Sequence, residues 1–285
     1  MIQIFEMNTG KRLREEQIVP ALKAQHPDIV IDLDPETCRL RIEGQEIDAE
    51  AIVALLKGIG ISAEALPEVT HTPEEMQAFW DAGFKTHQAM WGFEPARSAI
   101  AAKDLFLAEG IRDILLPGFG YGRNAQVFVE NGIRVTGIEI SATAIALAQR
   151  HYGGDMKIFH GSVTDMPFDH HQYGGIFCYG LVYLLNPVQR KKMIRDCYRQ
   201  LRPGGLMVFA VVAKHSPNYG KGKEVGKDTF EIGKGGQVFF YDTAAVQLEF
   251  GACGLTGFSD IGEQVHPVTH EPAFIFTLIT CRKER

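Results

Sequence analysis

The chain has 285 residues, of which 45% are hydrophobic, and a formal net charge of −6. The length suggests about two domains with ordinary buried cores, and the acidic balance argues against a nucleic-acid surface as the main function, because neutralising phosphates takes clustered Lys and Arg. No apolar run reaches the roughly twenty residues of a membrane span, and Met1 to Phe5 lacks a signal peptide's charged and apolar regions, so a cytoplasmic chain without membrane contact is expected.

The first segment reads as strand Ile2 to Met7, helix Arg12 to Gln25, strand Ile29 to Leu33, strand Arg39 to Ile42, helix Ala49 to Lys57 and a strand near Ala63 to Leu66. Alternation in Ile29-Val-Ile-Asp-Leu33 fits a strand with one wet face, and Asp48 suits the N-cap of the second helix. The order βαββαβ predicts a small ferredoxin-like α+β domain over residues 1–67. That order, with Ala54-Leu-Leu-Lys-Gly-Ile-Gly-Ile-Ser62, resembles the heavy-metal-associated domains of metal chaperones. The resemblance implies a cysteine pair in the loop after the first strand, which here is Asn8-Thr-Gly-Lys-Arg12. Without the thiolates the soft-metal site is absent, and Cys38 alone does not replace it. The domain is read as a packing, dimerisation or substrate-capture module, a homodimer being one outcome.

Leu66-Pro-Glu-Val69 links this module to the rest, and Thr72-Pro-Glu-Glu75 is a helix start with Thr72 as N-cap and Pro73 at the first position. The helix carries Phe79, Trp80, Phe84 and His87 and is followed by Met90-Trp-Gly-Phe-Glu-Pro95. From Ala96 the alternation is regular: helix to Glu109, strand at Ile114, helix Arg123 to Asn131, strand at Val135, helix Ser141 to His151, strand Met156 to His160. Strand Ile176 to Tyr179, helix Pro187 to Leu201 and strand Leu206 to Ala213 follow. This predicts a mostly parallel sheet with helices on both faces.

Asp113-Ile-Leu-Leu-Pro-Gly-Phe-Gly-Tyr-Gly-Arg-Asn124 reads as strand, glycine turn and helix start. Gly118, Gly120 and Gly122 allow a tight turn and a close backbone approach to a ligand. Glu139 falls at the tip of the next strand, about twenty residues on, where a carboxylate accepts ribose hydroxyls. A dinucleotide fingerprint, G-x-G-x-x-G, needs glycine where this chain has Arg123, which disfavours a nicotinamide dehydrogenase. The spacing here is G-x-G-x-G.

That spacing resembles motif I of the class I S-adenosylmethionine (SAM) methyltransferases. Gly161-Ser-Val-Thr-Asp165, Gly175 to Leu185 and Leu201-Arg-Pro-Gly-Gly205 match later motifs in order. The resemblance covers about Thr72 to Arg285; the Gly-Arg-Asn run and the ending Phe274 to Lys283 look closest to tellurite-resistance and thiopurine methyltransferases. It implies an α/β, Rossmann-like sheet with an antiparallel edge strand over residues 72–285, and SAM as cofactor. The implied cofactor contacts are Gly118, Phe119, Gly120, Gly122, Arg123 and Asn124 in the turn. Glu139 and Ile140 follow it, with Ser162, Val163 and Asp165 at the adenine, and Cys178 and Tyr179 at the sulfonium side. Trp91 and Phe93 fall where the family places a cover, and their rings would stabilise a sulfonium by cation–π attraction. One departure stands out: the family has an acid two residues before the first glycine, and this chain has Leu116. Either the methionine amino group is held from elsewhere, for example by carbonyls near Gly118 and Cys178, or affinity is weakened; the first reading is preferred.

The stretch from Lys214 to Gly236 sets Lys221, Lys223, Lys227 and Lys234 among glycines and is expected as a mobile lid rather than packed core. Methyl transfer is an in-line displacement, so alignment and exclusion of water matter most. A thiol or chalcogen acceptor needs no strong base; for an oxygen or nitrogen acceptor, Tyr183, His215, Tyr219 and Tyr241 are the candidates near the rim. No metal site is expected: Pro267 spoils a helical pair of His266 and His270, and His170-His171 suits an exposed turn. Cys38, Cys178, Cys197, Cys253 and Cys281 contain no C-x-x-C pair and read as reduced thiols. The expected function is methyl transfer from SAM to a small-molecule acceptor such as a thiol, chalcogen or metalloid nucleophile. The alternative is a non-catalytic SAM-binding sensor or scaffold.

Overall fold

The computed structural model describes residues 2–8, 15–34, 39–66, 73–153, 156–231, 236–263 and 274–285. The chain divides into two compact units, Met1–Thr70 and His71–Arg285. The loop from Thr9 to Arg12, Cys38, the Thr72 cap, Lys234, and His266 to His270 lie outside the described residues.

The first unit runs β1 (Ile2–Asn8), α1 (Glu15–Gln25), β2 (Val30–Asp34), β3 (Arg39–Glu43), α2 (Ala49–Gly58) and β4 (Ser62–Leu66). Its sheet has the order β2-β3-β1-β4, with every neighbour antiparallel. Period-two alternation puts Phe5 and Met7 of β1 on the same face as Leu40 and Ile42 of β3. Ile18 and Leu22 of α1, and Ile52 and Leu56 of α2, are each four apart and close this core. Each such side chain contributes about 1.5–3 kcal/mol by leaving water. Asp48 caps α2 as its sequence position suggests, its Oδ1 accepting from the N–H groups of Glu50 (3.1 Å) and Ala51 (3.0 Å).

The second unit opens with α3 (Pro73–His87), α4 (Arg97–Ala108), β5 (Asp113–Pro117), α5 (Ala125–Val129), β6 (Arg134–Glu139), α6 (Ala142–Tyr152) and β7 (Lys157–His160). It continues through β8 (Tyr173–Tyr179), α7 (Pro187–Gln200), β9 (Leu201–Val212), β10 (Glu224–Gly226), β11 (Thr229–Glu231), β12 (Gln237–Phe239), α8 (Thr243–Phe250), β13 (Leu255–Glu263) and β14 (Phe274–Arg282). The seven-stranded sheet has the order β13-β14-β9-β8-β5-β6-β7. Strands β5 to β9 are parallel, and β14 runs antiparallel to both β9 and β13.

Alternation sends adjacent residues to opposite faces. Leu115, Cys178 and Phe209 pack with Met193 and Cys197 of α7 and Phe250 of α8. Leu116, Phe177 and Val208 pack with Ala102 and Phe106 of α4 and Phe128 of α5. The strand order reverses beside β5, since β6 and β7 extend one way and β8 and β9 the other. Ligands of open α/β sheets bind beyond the carboxyl ends of the strands at such a switch point. The glycine turn leaves β5 there.

Two sequence expectations need correction. The helix expected over Arg123 to Asn131 is shorter, Ala125–Val129, because Gly122 to Asn124 continue the turn. The stretch after β9 is not an unpacked lid: β10, β11 and β12 form a three-stranded antiparallel sheet. Its Phe230 and Val238, with neighbouring Phe240, pack on Ala210, Val212 and Phe276. Aromatic burial outweighs the glycine and lysine content of the segment.

Candidate active site

Gly118, Gly120 and Gly122 adopt φ of +73°, +58° and +85°, a region that side chains with a Cβ enter at a cost of about 1–2 kcal/mol. A Cβ on Gly118 would lie 2.9 Å from Leu181 Cδ2, whereas one on Gly120 would meet nothing within 4 Å. Open space therefore stands over the middle of the turn. The N–H groups of Gly118 and Phe119 both donate to Ile138 O at 3.0 Å, tying the turn to β6.

Glu139, 7% exposed, ends β6 beneath that space. Its Oε2 accepts from Gly120 N at 2.7 Å and its Oε1 from Ser141 N at 2.9 Å. Burial holds its carboxyl above the usual range, against the pull of the N–H groups of Ser141, Gly120 and Ile140. Each carboxylate oxygen has a second lone pair, so hydroxyl groups of a ribose remain acceptable partners.

The start of α6, next to Glu139, is fixed by a residue the motif search missed. Asp81 of α3 accepts at Oδ1 from Ser141 Oγ (2.5 Å) and Thr143 N (3.0 Å), while Ser141 Oγ accepts from Ala144 N (3.1 Å). Although burial opposes it, the bonds from Ser141 and Thr143, with Lys85, lower the Asp81 pKa. No local signal marks Asp81, which lies 60 residues before its partner.

Trp91 stands against the glycine turn. It stacks on Tyr121 with ring centroids 6.3 Å apart and planes 7° apart. The backbone N–H of Trp91 donates to Tyr121 Oη (3.2 Å), and the Tyr121 hydroxyl donates to Gly92 O (2.6 Å). Burial pushes the Tyr121 hydroxyl up to about 12, so it remains a donor. Phe93, 46% exposed, packs edge-on to Tyr121 and lies 4.3 Å from the His151 ring centroid.

Several expected contacts are structural in their side chains. Phe119 is buried, its ring occupying the space beside Gly137. Arg123 donates from Nε to Glu94 O (2.5 Å), and Asn124 Oδ1 accepts from Ala96 N (2.9 Å), so both tie the segment before α4 to the turn. Val163 and Cys178 point into the core against α7, and burial raises the Cys178 thiol to about 12. Ile140 is half-buried, its carbonyl 3.1 Å from His160 Nε2. Ser162 caps the short 3-10 turn Val163–Asp165, accepting from Thr164 N (3.2 Å), and Asp165 is exposed beyond β7. Leu116 is buried with α4 and α5.

The four expected bases differ in their surroundings. Burial drives the Tyr183 and Tyr241 hydroxyls well above their ordinary pKa, and Tyr241 also donates to Glu249 Oε2 at 2.6 Å. Tyr219 is at about 12, through burial and then its 2.7 Å bond to Asp228 Oδ1. His215 is exposed, with Nε2 2.8 Å from Asp260 Oδ2. A second carboxylate that sequence reading missed is Glu263, 1% exposed at the end of β13. It accepts from Ser98 N (2.7 Å), Ser98 Oγ (2.5 Å) and Arg97 N (3.0 Å), capping α4 from 165 residues away. Among the described residues, no group of three or more His, Cys, Asp or Glu could hold a metal ion, and no helix is long and apolar enough to cross a membrane.

An open glycine cradle, a buried strand-tip acid, an exposed acid beyond the next strand and an aromatic flank fit an adenosyl cofactor with a cationic sulfur. Residues 114–205 match the family model described as a methyltransferase domain. A tRNA N(3)-methylcytidine methyltransferase of Drosophila melanogaster, Mettl2, is 28% identical over 222 residues, which is 70% of this chain and 66% of that protein. Burkholderia thailandensis 1,6-didemethyltoxoflavin-N1-methyltransferase, solved with 1,6-didemethyltoxoflavin and S-adenosylhomocysteine, superposes with a TM-score of 0.57 at 17% identity, over 78% of this chain and 96% of that one. Magnesium protoporphyrin IX methyltransferase of Synechocystis, solved with SAM, gives 0.52 at 11% identity, over 75% and 99%. These likenesses establish the Rossmann-like methyltransferase fold.

Proposed function

We propose that this chain, whose residues 114–205 match the model of a methyltransferase domain, transfers a methyl group from SAM to a small-molecule acceptor. The observation that carries the reading is the pairing of the open glycine cradle with Glu139. When bound, the cofactor supplies an electrophilic methyl on a sulfonium. Glu139 would hold the ribose, Asp165 the adenine amino group, and backbone at Gly118, Cys178 and Tyr179 the methionine end. Trp91 and Phe93 would shield the sulfonium and exclude water. Because Leu116 replaces the usual acid, the amino group falls to carbonyls of that backbone.

The net charge of −6 supports a small acceptor, with thiol, chalcogen and metalloid nucleophiles favoured by the resemblance to tellurite-resistance and thiopurine enzymes. A second reading, tRNA as acceptor, is favoured by the similarity to the fly enzyme over 70% of this chain. Leu116 motivates a third, a SAM-binding sensor without turnover. The N-terminal unit is read as a ferredoxin-like packing, dimerisation or substrate-capture module, its only cysteine being Cys38.

The test incubates the protein with SAM and, in turn, thiols, selenite, tellurite, small amines, phenols and unmodified tRNA. S-adenosylhomocysteine forming with a small acceptor supports the proposal. Formation with tRNA alone transfers it to the second reading, and SAM binding without product in any arm supports the sensor.

A further inference from the structure

Tyr121 separates Gly120 from Gly122, and its side chain is used twice. The ring stacks on Trp91, and the hydroxyl accepts from the backbone N–H of Trp91 (3.2 Å) while donating to Gly92 O (2.6 Å). The residues after Gly122 continue the pattern: Arg123 Nε donates to Glu94 O at 2.5 Å, and Asn124 Oδ1 accepts from Ala96 N at 2.9 Å. Four backbone groups between Trp91 and Ala96 are thus held by three side chains of the turn. Gly120, by contrast, faces open space.

The held segment is strained where it leaves α3. Gln88 has a φ of +51°, which costs a residue with a Cβ about 1–2 kcal/mol, and contacts from elsewhere must offset that cost. The reversal folds Trp91 back on α3, its ring centroid 6.0 Å from that of Phe84 and 6.4 Å from that of Trp80. In this small cluster Phe84 and Tyr121 are buried, whereas Trp80 and Trp91 are half-buried. Elements with few buried contacts open more readily than the core. Asp81 pins the same arm at α6, accepting from Ser141 Oγ and Thr143 N, and Ser141 N in turn donates to Glu139 Oε1. Residues 73–96 therefore bridge the turn after β5 and the tip of β6, the two places that Glu139 joins through Gly120.

Packing alone would hold such an arm by its apolar side chains. Here its register is set by polar bonds from residues whose own backbone makes the cradle. We infer that Tyr121 is a positioning residue, which locks Trp91 to the glycine turn so that occupancy of the turn by the cofactor is transmitted to the Trp91 ring. Hydrogen bonds weaken steeply with misalignment, so a shift of the turn carries Trp91 and Gly92 with it. A hydroxyl is needed because it accepts from one group and donates to the other at once; a phenylalanine ring keeps the stack and loses both bonds. The inference rests on the methyltransferase reading and adds to it a link between the cofactor turn and its aromatic flank.

The chain has two tryptophans, Trp80 and Trp91, and both lie in this cluster, so intrinsic emission reports the arm directly. The test titrates S-adenosylhomocysteine into full-length wild type, Trp91→Phe and Tyr121→Phe, with affinity from calorimetry and tryptophan emission read in parallel. The inference expects an emission change in wild type that saturates with the calorimetric binding and is lost in Trp91→Phe. It expects the change to be lost in Tyr121→Phe as well, while affinity there falls by no more than about fivefold, the worth of one hydrogen bond. Asn124→Ala should shrink the change, and Asn124→Asp, which keeps an acceptor for the Ala96 N–H, should restore it; this pair carries the test if Tyr121→Phe does not fold. A purely structural role would lower the melting temperature of Tyr121→Phe and leave its emission change intact, which overturns the inference. So does wild type that binds S-adenosylhomocysteine with no change in emission. Failure of wild type to bind S-adenosylhomocysteine in the calorimeter defeats the underlying methyltransferase reading, a distinguishable result.

Discussion

Glu139 Oε2 accepts a 2.7 Å hydrogen bond from the backbone N–H of Gly120. The acid assigned to the ribose thus also holds the turn that cradles the rest of the cofactor. Sequence spacing brings the two together because a strand, a glycine turn, a helix and a second parallel strand return the chain to its starting edge.

The two outer demands on that turn separate at Gly118 and Gly120. Both have positive φ, but a Cβ meets Leu181 only at Gly118. Gly120→Ala should cost about 1–2 kcal/mol from backbone strain alone. Gly118→Ala should cost about 1–3 kcal/mol more, from overpacking against Leu181. Urea denaturation of the two variants checks the order; equal losses would contradict the packing argument.

Asp81 predicts a pH dependence with a definite sign. Its folded pKa lies below the ordinary 3.8, so its stabilisation of the α6 start is present above that value and lost as pH falls through the folded pKa. Asp81→Ala should cost about 1 kcal/mol at neutral pH, the usual value of a lost helix cap. The difference in melting temperature between wild type and variant should shrink when both are measured near pH 3. A difference that persists unchanged would show that the carboxylate is not the source.

Much of this site was legible in the chain and some was not, for reasons of distance and length. Gly118 to Gly122 and Glu139 belong to one local strand-turn-helix-strand unit, so their spacing alone brings them together. Asp81 and Glu263 act across 60 and 165 residues, where no periodicity connects them. Strands β10, β11 and β12 have three residues each, too few for alternation to show, so Phe230 was hidden among glycines and lysines. Arg123 and Asn124 follow the turn in sequence, but their bonds to Glu94 and Ala96 depend on how the preceding segment docks.

Glu263 should matter for stability more than its position near a chain edge suggests. Glu263→Ala removes the acceptor for three donors at the buried start of α4, and should cost about 1–3 kcal/mol for each donor left unsatisfied. Glu263→Gln keeps a carbonyl acceptor and should lose less. A chemical denaturation series that ranks alanine equal to glutamine would contradict the capping role.

Cysteine reactivity gives a check on the sheet face packed against α7 and α8. Cys178, Cys197 and Cys281 are fully buried, and burial raises each thiol, which suppresses the reactive thiolate. Iodoacetamide treatment of native protein followed by peptide mapping should leave all three unmodified, with labelling after denaturation. Rapid native labelling of Cys178 would place its side chain at the site rather than in the core.

The central claim is a SAM site built on the glycine turn and Glu139, and calorimetric titration of SAM and S-adenosylhomocysteine into wild type and Glu139→Ala tests it most directly. The account predicts roughly micromolar binding to wild type and at least about tenfold weaker binding to the variant, as expected when a charged hydrogen-bond partner is removed. No binding to wild type, or equal binding to both proteins, would contradict it.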